Sequence, residues 1–186
     1  MAKVHKNIFV RGLSGAIGDQ FVIRKTRSGK TIIANKPRFD DDRQFTEKQK
    51  THQDAFREAS TYAKFAKTQP IYIEMAKGTG STAYNIAISD WFGSPKVLQI
   101  NVDQWTGKIG QTIRVKARDN VKVARVSVVI RDANNNILEA GEAVPSDGGS
   151  VWWEYTTQSV VAMIPFPAVE ATAQDLPGNT DSFSIS

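Results

Sequence analysis

The chain contains no cysteine. That excludes a disulfide framework, a thiolate nucleophile, Cys-ligated zinc and an iron–sulfur cluster, and it leaves the redox compartment open. Histidine is almost as scarce. His5 and His52 are the two present, too few for a His-rich metal centre, and a His-dependent triad would have to use one of them. Long apolar runs are missing too. After the basic start at residues 1–6, the apolar stretch is broken by Arg11, Gly12 and Gly15, so no secretory h-region forms. Nowhere do apolar residues reach the ~18 in a row that a membrane span needs. The expectation is synthesis in the cytoplasm without a signal peptide, with no membrane span and a final location the residues do not specify.

What is present suits an ordinary globular protein. The 186 residues are 40% hydrophobic and 23% charged, enough apolar material for a core and room for one domain or two small ones at ~100–200 residues each. The net charge of +5 is unevenly spread, with 16 Lys/Arg against 9 Asp/Glu in residues 1–95 and 8 against 10 in residues 96–186. A basic first part can meet nucleic acid, an anionic surface or the acidic face of a neighbouring copy; the plainer reading is a solvated surface.

Residues 7–37 read as two linked hairpins: short apolar runs carrying Ile8, Val10 and Leu13, then Phe21 and Ile23, then Ile32 and Ala34, separated by glycine-bearing turns at 12–18 and 27–30. Gly12, Gly15 and Gly18 superficially resemble a nucleotide loop. No strand-then-helix context surrounds them and no Gly-Lys-Ser/Thr follows, so they read as glycines permitting positive φ and bulges. Arg24, Lys25, Arg27 and Lys30 give the second turn a basic tip, the best local candidate for an anionic partner. Asp40, Asp41 and Asp42 lack the alternating ligand spacing of a calcium loop and read as an acidic linker.

A capping box, Thr46 with Gln49, opens a helix over 46 to about 67, whose face carries Ala55, Phe56, Ala59, Tyr62, Ala63 and Ala66. His52 on this helix has no ligand or acid/base partner at a helical offset. A second helix follows from Ile71 to Lys77 with Pro70 at or before its first turn. Ser81 or Thr82 then caps a third over 83–91, where Tyr84, Ala87, Ile88 and Trp91 share a face. The Gly78–Thr82 loop lacks a lysine and a magnesium-holding acid, so it reads as a capped turn rather than a phosphate cradle. Gly93-Ser94-Pro95 marks the boundary.

From residue 96 the pattern changes to about seven short strands, several strictly alternating, at 97–102, 112–117, 124–130, 137–143, 151–155, 168–173 and 181–185. Turn signals separate them at Thr106-Gly107, Asn134–Asn136, Asp147–Gly149 and Pro177–Asn179. That is the sequence signature of an immunoglobulin-like sandwich. The segment 169–179, with its Ala-x-Asp-x-x-Gly-Asn turn, and Asp119–Val123 earlier resemble bacterial immunoglobulin-like and fibronectin-type repeats, without the Cys pair of antibody domains. In the first part, the Gly12–Gly18 segment, the Gly29–Ile33 strand, Lys36-Pro37 and Gln49 resemble a family of uncharacterised Bacteroidota proteins that share a glycine hairpin and a Gln-bearing helix. That resemblance implies architecture alone, with no enzyme activity and no functional residues. The expected fold is therefore an α+β region of hairpins and two or three helices, 1–95, followed by an all-β immunoglobulin-like sandwich, 96–186.

Trp152 and Trp153 are adjacent, so in a strand one fills the core and the other turns outward. Trp105 is a candidate to join the outward ring in one aromatic patch. An exposed tryptophan stacks on a sugar or packs against a neighbouring subunit. Enzyme readings are weak: Ser14 is not in a Gly-x-Ser-x-Gly elbow, and the carboxylate pairs Glu139/Glu142 and Asp119/Asp132 carry no sign of burial or closeness. No cofactor and no metal is implied. The reading is a non-enzymatic assembly protein, forming a homo-oligomer, a filament or part of a larger particle such as a phage-like or contractile apparatus. Its interface candidates are Ile8, Val10, Arg24, Lys25, Arg27, Lys30, Trp105, Trp152 and Trp153. The alternative is a module binding nucleic acid through the basic half or glycan through the outward tryptophan.

Overall fold

The computed structural model describes residues 2–4 as backbone, 12–26, 28–38, 42, 44–146 and 151–186. Ile8, Val10 and Arg27, with His5, Asp40, Asp41 and the turn at 147–149, lie outside the described residues. Within them the chain is α+β, with three helices and antiparallel strands.

Four strands come first: β1 (Ala2–Val4), β2 (Gly15–Ile17), β3 (Phe21–Lys25) and β4 (Thr31–Asn35), hydrogen-bonded in the order β1-β4-β3-β2. Part of the glycine segment expected to be a turn is thus strand β2. The reversal falls later, at residues 18–20, because Gly18 takes φ +55° there.

Helix α1 (Glu47–Ala66) begins as its residues require. The Thr46 hydroxyl accepts from the Gln49 amide and the Gln49 side chain accepts from the Thr46 amide, which satisfies two of the free amides of the first turn. Helix α2 (Pro70–Ala76) has its proline at the first turn, where a missing N–H costs nothing. Helix α3 (Ala83–Phe92) is capped by the Thr82 hydroxyl, which accepts from Asn85 N at 3.1 Å. The three helices close on Ala63, Ala66, Tyr72 and Ala87. Val121 and Leu176, from turns of the following strands, pack on the same cluster. Alanine on the facing surfaces lets the helices approach closely.

Seven strands follow: β5 (Lys96–Asn101), β6 (Thr112–Arg118), β7 (Val123–Arg131), β8 (Ile137–Pro145), β9 (Trp152–Thr156), β10 (Ala168–Asp175) and β11 (Thr180–Ile185). Their ladder runs β11-β10-β7-β8-β9-β6-β5. Strand β8 turns the corner, its residues 137–143 pairing with β7 while Val144 and Pro145 pair with β9. At the far ends of the ladder, Lys96 on β5 forms an ion pair with Asp181 on β11 at 2.8 Å, and Asp181 also accepts from Val97 N. The sheet therefore nearly closes on itself around one core. Alternation supplies that core: Ile113, Val115 and Ala117 from β6, Val126, Val128 and Ile130 from β7, and Val169, Ala171 and Ala173 from β10 all point inward. Each fully buried valine or isoleucine contributes about 1.5–3 kcal/mol relative to exposure. Gly107 holds the long loop after β9 in place, its carbonyl accepting from Val161 N at 2.9 Å. It has φ +84°, and a Cβ there would fall 2.2 Å from the Val161 carbonyl oxygen, so only glycine fits.

Ile130→Ala should cost about 2–5 kcal/mol, because it leaves a cavity in this core. Ile109→Ala, at a side chain 63% exposed, should stay within about 0.5 kcal/mol of wild type. Urea unfolding of the two variants checks the contrast.

Candidate functional site

The N-terminal sheet stands apart from both cores, neither of which includes any of its side chains among the described residues. Direct cross-strand partners share a face, which places Ile17, Phe21, Ile23, Lys25 and Ile33 on one side and Ala16, Val22, Arg24, Ile32 and Ala34 on the other. Ile23 is buried, whereas Ile17 and Phe21 remain 51% and 42% exposed and Leu13 beside them 46%. The ion pair of this sheet among the described residues is Lys36 with Asp19 at 3.1 Å. Arg24, Lys25 and Lys30, around the β3–β4 turn, have no carboxylate partner among the described residues. The edge strands β1 and β2 are three residues long.

The tryptophans separate as the strand geometry demands. Trp153 on β9 faces the core and is 9% exposed, and Trp105 is 3% exposed, set edge-on against Phe166. Neither can offer a surface to a partner, so the expectation of a shared aromatic patch is corrected: Trp105 belongs to the core because the 102–111 loop folds it inward. Trp152 is the outward ring. It lies half-buried on the outer face of β5-β6-β9, with the Arg114 guanidinium 4.9 Å and the Lys116 ammonium 5.6 Å from its ring centre. Cation–π contacts of this kind contribute about 0.5–1 kcal/mol at exposed positions.

Two carboxylates are buried in ways the sequence pattern did not reveal. Glu139 occupies an inward position of β8, between exposed Leu138 and Ala140. It accepts from Tyr155 Oη (2.5 Å), Gln158 N (2.6 Å), Ser159 N (3.1 Å) and Ser159 Oγ (2.5 Å), which ties the loop after β9 to the sheet. Burial pushes this carboxyl up, but the Ser159 and Tyr155 hydroxyls and the two amides outweigh it, and it titrates below its ordinary value. Near that loop, Leu138, Val160, Ile164 and Pro165 border an apolar hollow of about 280 Å³.

Asp90, fully buried near the end of α3, sits where the helices meet the strand turns. The Tyr72 hydroxyl donates to its Oδ2 at 2.5 Å, and the Tyr62 hydroxyl lies 2.6 Å from that of Tyr72. The Asn120 amide, oriented to suit its neighbours, donates to Asp119 at 3.0 Å and to Asp90 at 3.3 Å. Beside it the Asn179 side chain donates to the carbonyls of Trp91 (3.2 Å) and Gly93 (2.8 Å) and to Asp175 (2.8 Å). The signal for Asp90 was its spacing: it falls on the face of Ala83 and Ala87, at an i, i+4, i+7 rhythm. His52 stacks on Phe92 with ring centres 5.9 Å apart. Asp119 and Asp132 each cap a local turn.

Among the described residues, no group of three or more His, Asp or Glu is placed to hold a metal ion, and no helix is long and apolar enough to cross a membrane. No family model, curated protein or solved structure matches the chain. The resemblances noted above therefore rest on the residues quoted for them.

The tryptophan assignments imply that Trp153→Ala costs about 3–5 kcal/mol while Trp152→Ala, losing a half-covered ring, costs about 1 kcal/mol; thermal melts of the pair test this. For Glu139, whose folded value is lowered, the stabilisation is present above its unfolded value of about 4.5 and is lost as the pH falls through the folded one. Glu139→Gln should destabilise by about 1–3 kcal/mol at neutral pH, because an amide replaces one of the two acceptor oxygens with a donor that faces other donors. In acid unfolding curves the variant should lack that component of the pH slope.

Proposed function

We propose that the chain is a non-enzymatic assembly protein: an immunoglobulin-like sandwich that carries an N-terminal sheet through which copies associate. Strand order supports the first part. In this reading β5, β6, β9 and the end of β8 form one layer and β8, β7, β10 and β11 the other, the division that seven-stranded immunoglobulin-like sandwiches share.

The observation that carries the assembly reading is the N-terminal sheet. Its strands join neither core among the described residues, and it keeps Leu13, Ile17 and Phe21 at the surface. A small sheet with one buried isoleucine gains little stability by itself. Association with a second copy, face to face or edge to edge, removes that apolar surface from water and pairs the free strand edges. A particle built this way, whether a closed oligomer, a filament or part of a larger apparatus, follows from the symmetry of the contact.

One observation favours a second reading, Arg24, Lys25 and Lys30 around the β3–β4 turn, which form no ion pair among the described residues and suit nucleic-acid phosphates. Glycan stacking has less behind it, since Arg114 and Lys116 already lie against the Trp152 ring.

Light scattering after size exclusion, over a range of concentrations, tests the proposal. The intact chain should run as discrete oligomers or filaments. Deletion of residues 1–12, which removes β1, should reduce it to smaller species while the cooperative unfolding of the strand region is kept. Assembly unchanged by the deletion, or a persistent monomer, would overturn this reading. Nucleic-acid binding that falls steeply between 50 and 200 mM salt, as about three phosphate contacts require, would favour the second.

A further inference from the structure

The attachment of the helices to the strand turns is centred on a carboxylate whose surroundings oppose its charge. Asp90 is fully buried, and it lies two residues before the end of α3, where the helix presents partial negative charge. Two donors reach it, the Tyr72 hydroxyl and the Asn120 amide. The titratable groups facing it are Tyr62 from α1, Tyr72 from α2, Asp119 from the β6–β7 turn and Asp175 from β10. None is cationic, and among the described residues Asp90 is in none of the ion pairs.

The hydroxyl chain can run in either direction. With Asp90 ionised, Tyr72 must donate to the carboxylate, so the Tyr62 hydroxyl donates to Tyr72. When Asp90 carries a proton, that proton can be donated to the Tyr72 oxygen and the Tyr72 proton turned to Tyr62. All three groups stay hydrogen-bonded, and the buried negative charge beside Asp119 and Asp175 is gone.

We propose that the Tyr62–Tyr72–Asp90 chain is a proton-operated clasp: neutral Asp90 fastens the helices to the strand turns at 119–122 and 175–179, and its ionisation loosens them. The clasp does not depend on what the N-terminal sheet binds, because every group in it belongs to the helices and strand turns of one chain. The titration agrees in direction. Burial raises the carboxyl, the Tyr72 hydrogen bond partly offsets this, and repulsion from Asp119 and Asp175 adds to the rise, placing it at about 6 against an ordinary 3.8. A folded value above the unfolded one means that the added stability is complete below about pH 4, declines between about 4 and 6, and is absent above that range. A shift of about two pH units sets an upper limit of about 100-fold on the change in the opening equilibrium.

The test is hydrogen exchange of the intact chain at pH 4.5, 6 and 7.5, corrected for intrinsic exchange, together with a 13C titration of the aspartate carboxyls. Protection of α2 and α3 should fall by tenfold or more across this range relative to β7 and β10. The Asp90 resonance should titrate near 6, Asp119→Asn should lower that midpoint, and Tyr72→Phe should raise it. Asp90→Asn should make helix protection independent of pH. Should Asp90→Asn fail to fold, the wild-type titration decides alone. An Asp90 carboxyl titrating near 4, or helix protection that does not change with pH in the wild type, overturns the proposal.

Discussion

The hydrogen bonds of Asn179 connect the two larger parts of this structure. Its side-chain amide donates to the carbonyls of Trp91 and Gly93 at the end of α3, and its backbone N–H donates to Asp175 at the end of β10. Carbonyls at a helix end have no partner within the helix, so a turn between β10 and β11 supplies one. Close approach is needed for this. Gly93 leaves the space: a Cβ there would sit 2.8 Å from the end of the Asn120 side-chain amide. Val121 and Leu176 then complete the helical cluster from the strand side. Helices whose own buried contacts are mostly alanine gain from those turns the apolar contact they do not supply themselves.

The two buried carboxylates show how neighbours decide what a charge costs. Glu139 and Asp90 are both removed from water, which raises both. Four donors converge on Glu139, two of them backbone amides that cannot turn away, and it is held ionised. Two donors reach Asp90, one of them a hydroxyl free to reverse, and two further carboxylates face it. Glu139 therefore works as a fixed peg for the loop after β9, while Asp90 keeps a choice of protonation state near neutrality. The difference lies in the geometry of the donors, since the chemical group is the same.

The N-terminal sheet differs from both. The strand region closes around Ile113, Val128 and Ile130 and needs nothing outside the chain for its core. The four short strands instead keep apolar side chains at the surface beside an excess of cations. Among the described residues their side chains join neither of the two cores.

Local chemistry was enough to read much of the secondary structure. The Thr46–Gln49 box, Pro70 and Thr82 mark helix starts because caps act within one turn, and short apolar runs, several of them alternating, between turn signals located the seven strands because both signals are local. That one of Trp152 and Trp153 must be buried was equally local. Which one was not, because register on β6 and the corner turned by β8 select the inward face. Glu139 was illegible for a related reason: an inward glutamate looks exposed until Tyr155, Gln158 and Ser159, distant in sequence, are folded around it. Asp90 lay on the apolar face of α3 from the start, yet its burial against Tyr72, Asn120 and Asp175 exists only once helices and strand turns meet. Capping and alternation are decided within a few residues of the chain, whereas burial of a charge is decided by partners that only the tertiary structure brings near.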